Sequence, residues 1–132
     1  MRVITGFAKG KRIETLTGDD VRPTIQRIKE AVFSAIQFDI QGKVFLDLFA
    51  GSGQMGIEAL SRGATSSFFI DSKRDSIEII KSNLKTTGLS DKAVVVNSDS
   101  LLFLNRTIQK FDIAFLDPPY RTEILEKAIE KI

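Results

Sequence analysis

The chain has 132 residues, 42% of them hydrophobic, and a formal charge of +2 from 19 basic and 17 acidic side chains, which fits one domain able to bury roughly two-thirds of the surface its unfolded form exposes. It contains no cysteine and no histidine, which excludes disulfides, thiolate or imidazole metal sites, cysteine nucleophiles and Ser-His-Asp triads together. No apolar stretch approaches the roughly 20 residues that cross a bilayer, and no signal-peptide pattern opens the chain, so a cytoplasmic protein with neither membrane nor metal is expected.

Taken in chain order, residues 1–12 carry Arg2, Lys9, Lys11 and Arg12 and no acid. Their +4 leaves −2 on the remaining 120 residues, so the positive charge is concentrated at the N-terminus. The β-prone runs Arg2–Phe7 and Lys11–Thr15 flank Ala8-Lys9-Gly10 and predict a basic hairpin, either a solvated appendage or a nucleic-acid contact. We divide the chain into this arm at residues 1–23 and a core at residues 24–132. Gly18-Asp19-Asp20 reads as a turn. Thr24 is then an N-cap for a helix whose apolar residues Ile25, Ile28, Val32, Ala35 and Ile36 face inward, with Arg27, Lys29 and Glu30 outward.

From Lys43 onward strand and helix patterns alternate. Strands are predicted at 44–49, 67–71, 93–97 and 112–116, and helices at 53–62, 73–87, 99–108 and 122–132. Strands apolar throughout, separated by amphipathic helices, indicate a Rossmann-like, doubly wound α/β fold with a parallel sheet covered on both faces. In that fold the first strand lies between the second and the fourth, and a ligand crevice opens at their carboxyl ends. Gly51–Gly53 and Asp117–Tyr120 therefore share one cleft.

The segment Gly51-Ser52-Gly53-Gln54-Met55-Gly56 matches the G-x-G-x-x-G pattern of dinucleotide sites. Asp71, at the end of the second strand, is placed to accept hydrogen bonds from ribose hydroxyls, as either NAD or S-adenosylmethionine would require. Asp99, after the third strand, could accept from an adenine amino group. Two features favour S-adenosylmethionine. Asp47, in the first strand, would repel a pyrophosphate but suits ammonium and sulfonium charges; its alternative role is to cap the loop backbone. The second is Asp117-Pro118-Pro119-Tyr120, for which hydride transfer has no evident use. An exocyclic amino nitrogen is a poor nucleophile because its lone pair is delocalised into the ring. If the Asp117 carboxylate and the Pro118 carbonyl each accept one N–H, that lone pair is turned toward an incoming methyl. The prolines fix φ near −65° and Tyr120 offers a stacking surface. A target base within a helix would have to be extruded. The alternative is that Pro118-Pro119 only ends a strand.

The Asp47-Leu48-Phe49-Ala50-Gly51-Ser52-Gly53 segment with Asp117-Pro118-Pro119-Tyr120 resembles the amino-methylating branch of the class I S-adenosylmethionine-dependent methyltransferases. More narrowly, Arg2-Val3-Ile4, Gly10-Lys11-Arg12, Arg22-Pro23-Thr24, Arg27, Glu30 and Phe33 resemble the bacterial family that methylates guanine N2 in 16S ribosomal RNA, over essentially the whole chain. The resemblance implies that Asp47, Phe49, Ala50, Gly51, Ser52, Gly53, Asp71 and Asp99 hold S-adenosylmethionine and that Asp117, Pro118, Pro119 and Tyr120 hold the guanine amino group. It also implies that the basic arm contacts 16S ribosomal RNA or the assembling small subunit. The family continues past residue 132 with further strands, so the fourth strand is expected at a sheet edge, where self-association is possible. Competing readings are a DNA adenine or cytosine amino methyltransferase, for which no target-recognition region is found, an NAD-dependent oxidoreductase, and a non-catalytic RNA-binding domain.

Overall fold

The computed structural model describes residues 1–15 and 23–117. Helix α1 spans Pro23–Ala35, followed by β1 (Val44–Leu48), α2 (Gln54–Ser61), β2 (Ser66–Asp71), α3 (Arg74–Thr87), a 3-10 turn at Ser90–Lys92, β3 (Ala93–Asn97), α4 (Ser100–Arg106) and β4 (Ile113–Leu116). The strands pair in parallel in the order β3-β2-β1-β4, so β1 lies between β2 and β4 as expected. Register sets Leu48 beside Ile70 on one flank and beside Leu116 on the other, which brings the carboxyl ends of β1, β2 and β4 to one level.

Alternation along the strands divides the apolar side chains between two cores, because successive side chains in a strand point to opposite faces. Phe45, Phe69, Val95, Ile113 and Phe115 join Phe33 of α1, Met55, Ile57 and Leu60 of α2, and Ile77, Ile80 and Leu84 of α3. Leu46, Leu48, Ile70, Val96, Ala114 and Leu116 face the other way, onto Leu104 and Leu101 of α4. Helices on both faces complete a doubly wound arrangement, with element boundaries within two residues of those expected wherever the residues are described. The expected turn at Gly18–Asp20 and helix at 122–132 lie outside the described residues.

The expected inward face of α1 is corrected. Val32 and Ile36 pack against the larger core as expected, but Ile28 is half exposed and Ala35 is exposed, whereas Lys29 and Phe33 are buried. The cause is an ion pair that the sequence of α1 alone does not reveal. Lys29 Nζ lies 3.3 Å from Glu58 Oε1 of α2, and Glu58 Oε2 lies 2.8 Å from Arg62 Nε. The Arg62 guanidinium stacks 5.0 Å from the centre of the Phe33 ring. Burial pulls the Lys29 pKa down, and the Glu58 carboxylate opposes that shift. The expected N-cap at Thr24 is also displaced: the helix begins at Pro23, a residue suited to a first helical position because it has no N–H to leave unpaired.

The N-terminal arm is a hairpin closed by a single antiparallel bridge between Arg2 and Arg12, with Val3 N–H donating to Lys11 O (2.9 Å) and Gly10 N–H to Val3 O (2.9 Å). It is seated on α2 and is not a detached appendage. Val3, Ala8 and Ile13 are buried in the larger core. Glu58 accepts the Ile4 and Thr5 N–H groups at 2.9 and 3.0 Å, and Ser61 Oγ accepts the Ala8 N–H at 2.9 Å while donating to Thr5 O. The cations Arg2, Lys9, Lys11 and Arg12 all remain exposed.

Candidate active site

Strand β1 ends in a loop whose backbone takes an uncommon course. Phe49 has φ 60°, in the left-handed region that costs a non-glycine residue free energy, and Gly53 has φ 80° at the start of α2. Closure of the loop is local: Ala50 N–H donates to Ile70 O (3.0 Å) and Gly53 N–H to Ala50 O (2.9 Å). At Gly51 a Cβ would meet nothing within 4 Å, so the backbone there is open to a ligand. Gly56 serves packing instead, since a Cβ would collide with the Phe69 ring and sit 2.6 Å from Ser67 Oγ.

Asp71 gathers the neighbouring loops. Its Oδ2 accepts the Gly51 N–H and its Oδ1 the Lys73 N–H, each at 2.9 Å, while its backbone oxygen accepts from Ser98 N–H at 3.0 Å and Asn97 Nδ2 at 3.1 Å. The ends of β1, β2 and β3 are thereby fixed to one residue. A carboxylate offers about four lone-pair positions, so Asp71 keeps acceptor capacity for a ligand.

These ends enclose a cleft of about 190 Å³ lined by Phe49, Gly51, Asp71, Ser72, Lys73, Ser76 and Asp117. Gly51 and Asp117, distant in sequence, meet here because β4 pairs with β1. Two carboxylates against one ammonium favour a ligand with hydroxyl or cationic groups over a pyrophosphate. The cleft wall also holds a polar group in need of a partner: Ser76 Oγ is buried with no hydrogen bond, a deficit that costs about 1–3 kcal/mol until it is satisfied. With the open backbone at Gly51, this fits a ribose- and amine-bearing ligand such as S-adenosylmethionine.

Asp47 sits beneath the loop rather than in the cleft wall. It is 1% exposed, and its Oδ2 accepts the Gly56 N–H at 3.0 Å, which is the capping role. Burial pushes its pKa up to about 8, opposed by the Gly56 hydrogen bond and reinforced by the negative charges of Asp71 and Asp117. Ala50 and Ser52 are buried as supports of the loop. Asp99 is exposed and caps α4, accepting the Leu102 N–H at 3.0 Å, and it is not among the residues that line the cleft. Pro118, Pro119 and Tyr120 lie outside the described residues. Sequence reasoning missed Ser72, Lys73 and Ser76, although their place just after β2, beside the acidic strand end, is a usable signal. It also missed Asn83 of α3, whose buried amide bonds both the arm and Ser52 O. Among the described residues, no group of three or more His, Cys, Asp or Glu side chains could hold a metal ion, and no helix is long and apolar enough to cross a membrane.

The family described as conserved hypothetical protein 95 matches residues 1–132. The ribosomal RNA small subunit methyltransferase D of Haemophilus influenzae is 38% identical over 132 residues, covering 98% of this chain and 68% of that protein. YlbH of Bacillus subtilis is 41% identical, over 100% of this chain and 73% of its own length. Of solved structures, yhhF from Escherichia coli superposes with a TM-score of 0.89 at 35% identity, covering 99% of this chain and 72% of that chain. The architecture is the class I methyltransferase fold. A match along the whole chain, joined to this degree of identity, shows that the chain belongs to the conserved hypothetical protein 95 family, alongside the ribosomal RNA small subunit methyltransferase D proteins.

Proposed function

We propose that this protein uses S-adenosylmethionine to methylate an exocyclic amino group of a base in 16S ribosomal RNA, the N2 of a guanine, in free RNA or the assembling small subunit. The observation that carries the reading is the meeting of Gly51, Asp71 and Asp117 in one cleft at the ends of β1, β2 and β4, in a relative of the ribosomal RNA small subunit methyltransferase D proteins. When bound, the cofactor supplies an electrophilic methyl group on a sulfonium. The remaining work falls to the chain. Asp71 accepts from ribose hydroxyls with the lone pairs that Gly51 and Lys73 leave free, and Ser76 gains the partner it lacks. Asp117, exposed on the cleft rim, accepts an N–H of the target amino group and turns its lone pair out of conjugation with the ring. In this reading the Pro118 carbonyl is the second acceptor, Pro119 keeps that carbonyl in place and Tyr120 stacks on the base. The outward cations Arg2, Lys9, Lys11 and Arg12 meet phosphates, and the strength of that contact falls with salt.

The test is Asp117→Ala. Transfer of labelled methyl groups to small-subunit ribosomal RNA is expected to disappear, while calorimetric titration with S-adenosylhomocysteine still gives binding. Retained transfer would refute the role of Asp117. Transfer to duplex DNA but not to ribosomal RNA would replace the substrate, and binding of NAD alone would replace the reaction.

A further inference from the structure

Asn83 is 1% exposed in the middle of α3, between the core residues Ile80 and Leu84, and takes no part in the cleft wall. Its side-chain hydrogen bonds run to two separate segments. Oδ1 accepts the Glu14 N–H at 2.8 Å, and Nδ2 donates to Glu14 O at 2.9 Å and to Ser52 O at 3.0 Å. Both Nδ2 protons are thus used. The amide orientation is dictated by its partners, because a flipped amide would turn a donor toward the Glu14 N–H. The paired bonds to Glu14 imitate those of a neighbouring strand, and the third reaches the residue between Gly51 and Gly53. Glu14 closes the arm, whose other end is fixed to Glu58 and Ser61.

We propose that Asn83 is a positioning residue that latches the arm to the glycine loop and holds the Ser52 peptide so that Gly51 and Gly53 keep their ligand-receiving shape. The ligand half of this inference rests on the S-adenosylmethionine reading above. Its consequence is reciprocal coupling: RNA that steadies the arm tightens cofactor binding, and cofactor tightens the arm's hold on RNA to the same degree. The arm is then a sensor of substrate as well as a contact.

The experiment compares Asn83→Ala, Glu14→Pro and the double variant in the full chain. Glu14→Pro removes the N–H that Asn83 accepts and leaves α3 and the loop unchanged. Two readouts are taken: affinity for S-adenosylhomocysteine, and hydrogen exchange at the Gly51 and Gly53 amides, which donate to Asp71 and to Ala50 O. Each single substitution is expected to weaken binding about tenfold, and the double variant to be no weaker than the worse single, because both cut one connection. The Gly51 and Gly53 amides should exchange faster, with the β2 amides of Phe69 and Ile70 unchanged. Unchanged affinity and loop exchange in Glu14→Pro, or additive effects in the double variant, would overturn the latch. Acceleration of loop and β2 amides together would do the same, since it marks global destabilisation. If Asn83→Ala does not fold, Glu14→Pro decides alone. If the unmodified chain bound no S-adenosylhomocysteine, the cofactor reading would fall, and loop exchange in the variants would still decide the latch.

Discussion

Replacing Asp47 with asparagine should change how stability depends on pH. Asp47 is buried under the glycine loop, and one of its oxygens accepts the Gly56 N–H. Its pKa rises from 3.8 to about 8 in the fold, chiefly through burial. A carboxyl whose folded pKa exceeds its unfolded value binds its proton more tightly in the native state. Its contribution to stability is complete below about pH 4 and is lost progressively as the pH rises to about 8, where the loss levels off. At about 1.4 kcal/mol per pKa unit, the loss has a ceiling on the order of 6 kcal/mol. The Asp47→Asn side chain would keep a neutral oxygen for the Gly56 N–H and remove the buried charge. Urea unfolding of both proteins at about pH 5, 7 and 9 isolates this group, since every other titration is shared. The unmodified protein should lose several kcal/mol relative to Asp47→Asn between about pH 5 and pH 9. Parallel stability curves would refute the buried, proton-holding Asp47.

Further tests probe other parts of the architecture. Gly56→Ala drives a methyl group into the Phe69 ring and against Ser67 Oγ, so unfolding should cost about 1–3 kcal/mol less; an unchanged midpoint would mean that α2 does not need this close approach. Glu58→Ala strips a fully buried Lys29 of its counter-charge and the Ile4 and Thr5 amides of their acceptor, with an expected loss of about 3–5 kcal/mol and faster exchange at those amides. A loss below about 1 kcal/mol would show the network to be dispensable.

The sheet was legible because its evidence is local. The largely apolar run Val44–Leu48, buried along most of its length, and the apolar run Ile113–Leu116, half-buried on both faces, are short and bounded by turn residues, and parallel topology follows from the helices between them. Gly51, Asp71 and Asp117 could be placed in one cleft for the same reason: strand ends and strand order suffice. What escaped depends on partners remote in sequence. Lys29 reads as a surface residue until Glu58 is brought against it, which turns the buried side of α1 toward Lys29 and Phe33. Asn83 looks like any polar helix residue, because Glu14 and Ser52 lie 69 and 31 positions away. Ser76 and Lys73 carry no motif, and their place just after the acidic end of β2 is the signal that points them to the cleft.

The seating of the arm on α2 bears on how this protein could be re-engineered. Two turns of helix carry the glycine turn at one end and the arm's acceptors, Glu58 and Ser61, further along. An arm transplanted from a relative would arrive without its sockets unless positions 58, 61 and 83 travelled with it. Deletion of the arm would take Val3, Ala8 and Ile13 out of the larger core and strand the Glu58 carboxylate beside Lys29 with its backbone donors gone. Chimeras should therefore be cut inside the sheet connections, with arm, α2 and α3 exchanged as one cassette.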